Sequence, residues 1–139
     1  MKNEGVNVII EKTIKTFNKE ELIEVTSLIK EEVKKNNMRN GLLTVFIPHT
    51  TAAVTINENA DKDVRLDLVK SFNSFDFEKL DFRHIEGNSA AHTKSSLVGT
   101  DIQLIIHEGK IMLGTWQGIF FCEFDGPRNR KFLMKFITG

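Results

Sequence analysis

From residue 102 to the C-terminus, the sequence is a series of short β-rich segments separated by turns. Strands are predicted over residues 102–107, 110–113, 119–124 and 131–137, with turns at Glu108-Gly109 and Asp125-Gly126-Pro127. β-Branched and aromatic residues favour strands, while glycine and proline favour the tight turns between them. Strands joined by tight turns pair in antiparallel fashion, so the sequence predicts a largely antiparallel sheet.

Three more strands are predicted before this region, over residues 6–16, 42–47 and 52–56. The segment 42–47 is almost continuously apolar, which is typical of a strand buried on both faces. Pro48 should end this strand, because a proline cannot donate a hydrogen bond to a sheet.

Helices are predicted between these strands. Asn18 has the sequence pattern of an N-cap, with Glu21 in the position of a capping box, and apolar residues then recur at helical spacing to about Asn36. Asp61 can cap a second helix. Residues 73–82 are mixed in character and are predicted to form a loop. The predicted fold class is therefore α+β, a largely antiparallel sheet interrupted by two to three helices.

Composition limits the classes of partner. The 139 residues contain no repeat and predict a single domain over residues 1–139, with 19 Lys+Arg balanced by 19 Asp+Glu. This neutrality argues against a nucleic-acid-binding protein or a membrane-surface protein. The single Cys122 excludes an intrachain disulfide framework and a cysteine-rich zinc finger. With no apolar run near the roughly 20 residues of a membrane span and no signal-like N-terminus, a cytoplasmic location is expected.

The first segment with chemical potential follows the predicted strand 42–47. His49 stands directly after Pro48, so its imidazole should have little freedom, as suits a ligand or a proton carrier. The alternative is an imidazole that only closes the strand end, with Thr50 and Thr51 as turn formers.

The second segment holds His84, Glu86 and His92 around the start of a helix that Asn88 should cap and that should run to about residue 98. Zinc binds neutral imidazole and carboxylate, and three protein ligands leave one position open for water or substrate. Free N–H groups at the helix start, with Lys94 nearby, are also suited to phosphate. The spacing of the two histidines is not a recognised metal motif, so a capped helix with exposed histidines stays open.

The third segment contains the single tryptophan, Trp116, which could stack on an aromatic ring or anchor the core. Glu123 lies among apolar neighbours and needs a partner, for which Arg128 or a metal ion is the candidate. Arg128 and Arg130 could clamp phosphate, or form a cross-strand ion pair. Cys122 is predicted to be a buried, inert thiol.

These motifs resemble the YjbQ-like family, whose members carry the label "secondary thiamine-phosphate synthase enzyme". The matching segments, between residues 44 and 130, are Pro48-His49-Thr50-Thr51-Ala52-Ala53, Asn57-Glu58-Asn59-Ala60-Asp61, His84 with Glu86-Gly87-Asn88 and His92, and Leu113-Gly114-Thr115-Trp116-Gln117-Gly118 leading into Glu123-Phe124-Asp125-Gly126-Pro127-Arg128. The resemblance implies an α+β subunit with β-sandwich character, assembled as a homotrimer with histidine-lined sites near subunit contacts.

The resemblance also implies which residues to expect in the site. The family's histidines correspond to His49, His84 and His92, and its acidic and amide positions to Glu58, Asp61, Glu86 and Asn88. Many relatives have an acidic residue where this chain has Ala90, so a carboxylate at that position cannot be a required ligand here.

The function expected from these observations is that of a metal-dependent enzyme acting on a small phosphorylated molecule. The specific reaction suggested by the resemblance is thiamine-phosphate synthesis, which joins a pyrimidine diphosphate to a thiazole phosphate and expels pyrophosphate. The expected metal is zinc or magnesium, bound by His49, His84 and His92. The expected catalytic residues are Glu86, Glu58 and Asn88. The expected substrate contacts are Lys94, Trp116, Arg128 and Thr50. Two alternatives stay open: metal-assisted phosphoester hydrolysis, and a non-catalytic trimer that binds a small ligand.

Overall fold

The computed structural model describes residues 8–139, so the first two residues of the strand predicted over 6–16 lie outside the described part. The strands are β1 Ile10–Lys15, β2 Glu21–Glu24, β3 Gly41–Phe46, β4 Ala52–Glu58, β5 Asp101–His107, β6 Lys110–Ile111, β7 Gln117–Glu123 and β8 Asn129–Thr138. The helices are α1 Thr26–Lys35, α2 Lys62–Asn73 and α3 Ser89–Val98, with a short 3-10 turn at Phe77–Lys79.

The strands form two antiparallel sheets. The larger has the order β1-β8-β3-β5-β6, and the smaller has the order β2-β7-β4. This confirms the predicted α+β class and the largely antiparallel pairing. No helix within residues 8–139 is long and apolar enough to cross a membrane.

The central strand β7 explains how the layers pack, because successive side chains point to opposite faces of a strand. Ile119 and Phe121 belong to the core shared by the two sheets and α1. Phe120 and Cys122 face the other way, into a second cluster covered by side chains of α2 and α3. The smaller sheet is therefore buried on both faces, between the larger sheet and two helices.

The first predicted helix is wrong at its start. Residues Glu21–Glu24 form strand β2, where Leu22 pairs with Cys122 of β7, and α1 begins only at Thr26. Glu21 does accept the backbone N–H of Asn18 at 2.8 Å, as a capping-box residue would, but this contact closes a turn before a strand. Pairing with β7 thus overrides the local helical pattern.

The prediction that residues 42–47 are buried on both faces is also wrong for the single chain. Leu43 and Val45 are fully buried, but Leu42 and Phe46 are 42% and 43% exposed. Leu42 lies beside Ile105 of β5 and Ile137 of β8, both 60% exposed. The outer face of the larger sheet therefore carries an apolar stripe, defined here by Leu42, Ile105 and Ile137.

Candidate functional site

Four separate segments line one open cleft of about 640 Å³, which we call the histidine cleft. It lies where β3 ends, at the N-terminal side of α3 and next to the start of β8. Of the residues singled out from the sequence, it contains His49, Thr50, His84, Glu86, Asn88, His92 and Arg128. The structure thus brings the histidines of two distant segments into the lining of one cleft.

His49 is held against the backbone of β8. Its Nε2 lies 3.0 Å from the backbone nitrogen and 3.1 Å from the carbonyl oxygen of Lys131, so this ring nitrogen accepts from the N–H or donates to the carbonyl according to the tautomer. Loss of water contact lowers the pKa of His49, and the positive charge of Arg130 lowers this pKa further. At neutral pH the ring is therefore uncharged and can accept a proton.

His84 and His92 form a pair. Their rings meet edge to face with centroids 5.5 Å apart. His84 Nε2 lies 3.9 Å from Glu86 Oε2, and both of these side chains are exposed to solvent. The His84 ring and the Glu86 carboxylate therefore lie together on the exposed side of the cleft.

A buried polar cluster lies beneath the cleft and is centred on Glu123, whose side chain is fully buried. Arg130 donates to Glu123 from Nε at 2.9 Å and also from Nη2, and Thr16 donates to the same carboxylate at 2.8 Å. Burial alone would raise the pKa of Glu123. The hydrogen bonds from Arg130, Thr16 and the Asp125 N–H outweigh burial and hold this pKa below its usual value.

The partner of Glu123 is thus Arg130, where the sequence suggested Arg128 or a metal ion. Arg130 also donates from Nη2 to the Thr51 hydroxyl at 2.8 Å, which ties β8 to the residue before β4. The sequence contains a signal that Arg130 is buried. Side chains on one face of a strand recur at every second residue, and Arg130 falls on the same face of β8 as the buried Phe132 and Met134.

Arg128 instead pairs with Asp125 at the rim. It donates from Nη2 to Asp125 Oδ2 at 2.7 Å and from Nε to the Asp125 carbonyl at 2.7 Å. Asn88 Nδ2 donates to the same carboxylate oxygen at 2.9 Å. Asn88 occupies the predicted N-cap position of α3, but its side chain makes no capping hydrogen bond. Its Oδ1 is buried and has no partner within residues 8–139.

Lys94 lies outside the histidine cleft. It is 2% exposed, and its Nζ donates to Glu20 and to Asn73, each at 2.6 Å. The reason is the turn of the helix: residues two apart on α3 differ by about 200° around its axis, so Lys94 and His92 face opposite sides. Its charge stabilises the packing of α3 against α2 and is not available to a phosphate in this cleft.

Glu58 and Trp116 lie at the other end of the smaller sheet. Glu58 ends β4, whereas Thr50 and Thr51 precede it, and the seven residues of β4 span about 23 Å. Directly after Glu58, the Asn59 N–H donates to the Trp116 carbonyl at 2.7 Å. The Trp116 side chain is 64% exposed. Within one chain these residues do not reach the histidine cleft.

Packing explains why Gly118, two residues after Trp116, is a glycine. A Cβ on Gly118 would stand 2.7 Å from side-chain carbons of Asn59, closer than real carbons approach. Asp61, another position implied by the resemblance, caps α2 by accepting the Asp63 N–H at 2.9 Å. These residues therefore have structural explanations at that end of the sheet.

The three histidines do not fit a metal site in one chain. Among the described residues, no three His, Cys, Asp or Glu side chains are placed so that they could hold an ion. His49 Nε2 is already engaged by the Lys131 backbone. The single thiol is no substitute, because burial raises the pKa of Cys122 to about 12 and keeps it protonated.

Known proteins share both this sequence and this fold. A UPF0047 protein of Methanocaldococcus jannaschii is 46% identical over 132 residues, which cover 95% of this chain and 96% of that protein. The UPF0047 protein YugU of Bacillus subtilis is 45% identical, with 89% and 95% covered. A crystal structure of an uncharacterised YjbQ/UPF0047 protein from Clostridium acetobutylicum has a TM-score of 0.89 and 49% identity, with 92% and 99% covered.

A more distant structure, described as a YbjQ-like protein of unknown function from Sulfolobus solfataricus, also has a TM-score of 0.89, at 28% identity, with 95% and 97% covered. Residues 10–139 match the family described as "UPF0047 protein YjbQ-like". The chain therefore belongs to the YjbQ-like family, UPF0047, whose function is uncharacterised.

Proposed function

We propose that the histidine cleft binds a small phosphorylated molecule and that its histidines transfer protons to or from that molecule. The observation that carries this proposal is the lining: three histidines and two arginines converge from three segments, and the sole carboxylate among the lining residues is the exposed Glu86. Asp125 and Glu123 neutralise the two arginines, so the preference for an anion rests on the N–H donors that face the cleft and not on net charge.

Arg128 is the main phosphate contact in this proposal. Asp125 binds its Nε and Nη2, which fixes the plane of the guanidinium while Nη1 makes no hydrogen bond within residues 8–139. An arginine held in this way loses little further freedom when a phosphate binds. Arg130 makes its hydrogen bonds inside the protein, to Glu123 and Thr51, and serves to hold the wall of the cleft.

Proton transfer is assigned to the histidines. His49 is neutral at pH 7 and acts as the base through Nδ1, in the tautomer whose Nε2–H donates to the Lys131 carbonyl, while the exposed His84 acts as the acid. The unpartnered Oδ1 of Asn88 can accept a hydrogen bond from a hydroxyl or amino group of the ligand. These roles need no metal ion, and a metal would require ligands beyond those that one chain provides.

Thiamine-phosphate synthesis is the specific reaction that we propose to test first, because it releases pyrophosphate and so needs a cleft with N–H donors for phosphate oxygens. The pyrimidine diphosphate and thiazole phosphate are incubated with the protein, and a panel of phosphoesters is assayed alongside. Turnover that His84→Gln abolishes supports an enzyme of the matching class; binding without turnover in either assay supports the non-catalytic alternative.

The same assays address the metal. Protein is treated with a chelator and assayed before and after zinc or magnesium is restored. Unchanged turnover agrees with the metal-free roles above. If the protein binds one zinc ion per chain, and His84→Ala/His92→Ala loses both the zinc and the activity, the metal binds in the histidine cleft.

We also propose a homotrimer. The apolar stripe of Leu42, Ile105 and Ile137 supports self-association, because adjacent strands place three large aliphatic side chains side by side in solvent. A subunit contact over this stripe would bury residues 42–47 on both faces, as their apolar sequence suggests.

A further inference from the structure

A second cleft, of about 490 Å³, lies at the opposite end of β3 from the histidine cleft. It is formed by the last turns of α1, the following loop and the β5–β6 hairpin, and we call it the lysine cleft. The two clefts share no lining residue. Because the six residues of β3 span about 20 Å, one small ligand cannot occupy both.

The rim of the lysine cleft is cationic. Lys30, Lys34, Arg39 and Lys110 line it, and none of the lining residues is acidic. None of these four cations forms an ion pair with another residue in the part of the chain that the structure describes. In a chain with no net charge, four cations with no acid among them form a distinct positive patch.

The arrangement is unfavourable without an anion. Lys30 and Lys34 are four residues apart on α1, so they are neighbours on one helix face and repel each other. Arg39 and Lys110 add charge from the loop and the hairpin. A bound anion would remove this repulsion and gain a charge-assisted hydrogen bond from each cation that it touches.

The floor of the lysine cleft is apolar. Val33 and Met38 are 3% and 2% exposed, and the half-buried Ile111 completes the surface. Most small-molecule sites share this combination of an apolar floor with a few placed polar groups. An inorganic ion would leave the floor unused, so the surface is suited to an organic anion.

The walls are held in place by backbone contacts. The Met38 N–H donates to the Val33 carbonyl at 3.0 Å, and the Gly109 N–H donates to the Arg39 carbonyl at 2.9 Å. Gly109 has a φ of +80°, a backbone conformation that L side chains rarely adopt, so the turn of the hairpin at this point favours glycine. The cleft is therefore formed before a ligand arrives.

We infer that the lysine cleft is a second ligand site, for a small organic anion that carries a phosphate or carboxylate group on an apolar body. The charged group would lie among Lys30, Lys34, Arg39 and Lys110, and the apolar body on Val33, Met38 and Ile111. This site is separate from the one in the proposed function, and it stands even if the histidine cleft binds nothing.

The test uses three probes: 1-naphthyl phosphate, inorganic phosphate and 1-naphthol. Each is titrated into the full-length protein, and backbone amide NMR shifts identify the site. We expect 1-naphthyl phosphate to perturb the amide shifts of residues 30–39 and 109–111. It should bind there at least about tenfold more tightly than either other probe, because inorganic phosphate lacks the apolar body and 1-naphthol lacks the phosphate group.

Lys34→Glu/Arg39→Glu should weaken 1-naphthyl phosphate binding at this site by at least about tenfold. Lys35→Glu is the matched control, because it makes the same kind of charge change on the last turn of α1 outside the lining, and it should change binding less than about twofold. Equal losses in the two variants, or amide shifts confined to the histidine cleft, would overturn the inference. Both variants are checked for folding by their amide spectra, and if the double variant is unfolded, Lys110→Glu replaces it with the same expectation.

Discussion

The guanidinium of Arg130 and the carboxylate of Glu123 form an ion pair at the base of the histidine cleft, with side chains 4% and 0% exposed. The pair joins β8 to the end of β7 and, through Thr51, to the residue before β4. One wall of the cleft therefore depends on two charges that are both removed from water. Such a pair is sensitive to the loss of either partner.

Replacing Arg130 should destabilise the fold. Arg130→Met leaves the Glu123 carboxylate buried without its main donor, and we expect the free energy of unfolding to fall by about 3–5 kcal/mol. Lys131→Met is the matched control, since its ion pair with Glu11 is exposed and should contribute less than about 1 kcal/mol. Chemical denaturation of both variants measures the difference, and equal losses would contradict a structural role for the buried pair.

Acid should weaken this contribution. The folded-state pKa of Glu123 is below its unfolded value of about 4.3, so the unfolded chain binds the proton more readily. The stabilisation is complete above pH 4.3 and is lost as pH falls through the lower folded-state pKa. In Glu123→Gln this proton uptake is absent, so the fall in stability below pH 4.3 should be shallower than in the wild type. Unfolding curves from pH 7 to pH 3 test this, and parallel pH profiles would argue against it.

The ring of His49 should titrate below the ordinary histidine pKa of about 6.5. Its neutral form is favoured in the folded protein, so its contribution to stability is complete above pH 6.5 and decreases as pH falls toward the folded-state value. Arg130→Met should raise the pKa of His49, because a nearby positive charge is lost while Glu123 remains. NMR titration of the ring protons gives both values; a pKa of 6.5 or above in the wild type would be inconsistent with the described packing.

The apolar stripe should mediate self-association. Ile105→Lys places a charge within the stripe and should shift the proposed trimer toward monomer in light scattering. Leu66→Lys makes the same chemical change on α2, at a residue that is 67% exposed and outside the stripe, and should leave the assembly intact. Assembly that survives Ile105→Lys, or that both variants disrupt equally, would exclude the stripe as the subunit contact.

Local sequence patterns predicted most of the fold because strands and turns at the C-terminal end follow side-chain alternation and turn chemistry. The start of α1 was missed for a physical reason. Residues 21–24 become a strand only because β7 offers them a partner, and a pairing partner more than ninety positions away leaves no trace in a local helical pattern. Similarly, Leu42 and Phe46 are apolar, but within residues 8–139 of one chain they stay 42% and 43% exposed.

The candidate site was predicted in its residue types and only partly in its geometry. His49, His84, His92 and Arg128 do line one cleft, as their chemistry suggested, but His49 is engaged by a backbone that sequence could not place. Lys94 was close to this set in sequence yet faces away, because a shift of two positions reverses direction on a helix. Sequence proximity to a site is therefore a weaker guide than the period of the element that carries the residue.

Pyrophosphate titration followed by amide NMR tests most directly whether the histidine cleft binds phosphate groups. We expect shifts in residues 49–51, 84–92 and 128–130, and binding there weakened at least about tenfold by Arg128→Gln and by His84→Gln/His92→Gln. His107→Gln, on the exposed end of β5, is the control and should bind like the wild type. Shifts that leave these three segments unchanged, or losses in His107→Gln equal to those in the cleft variants, would contradict the account.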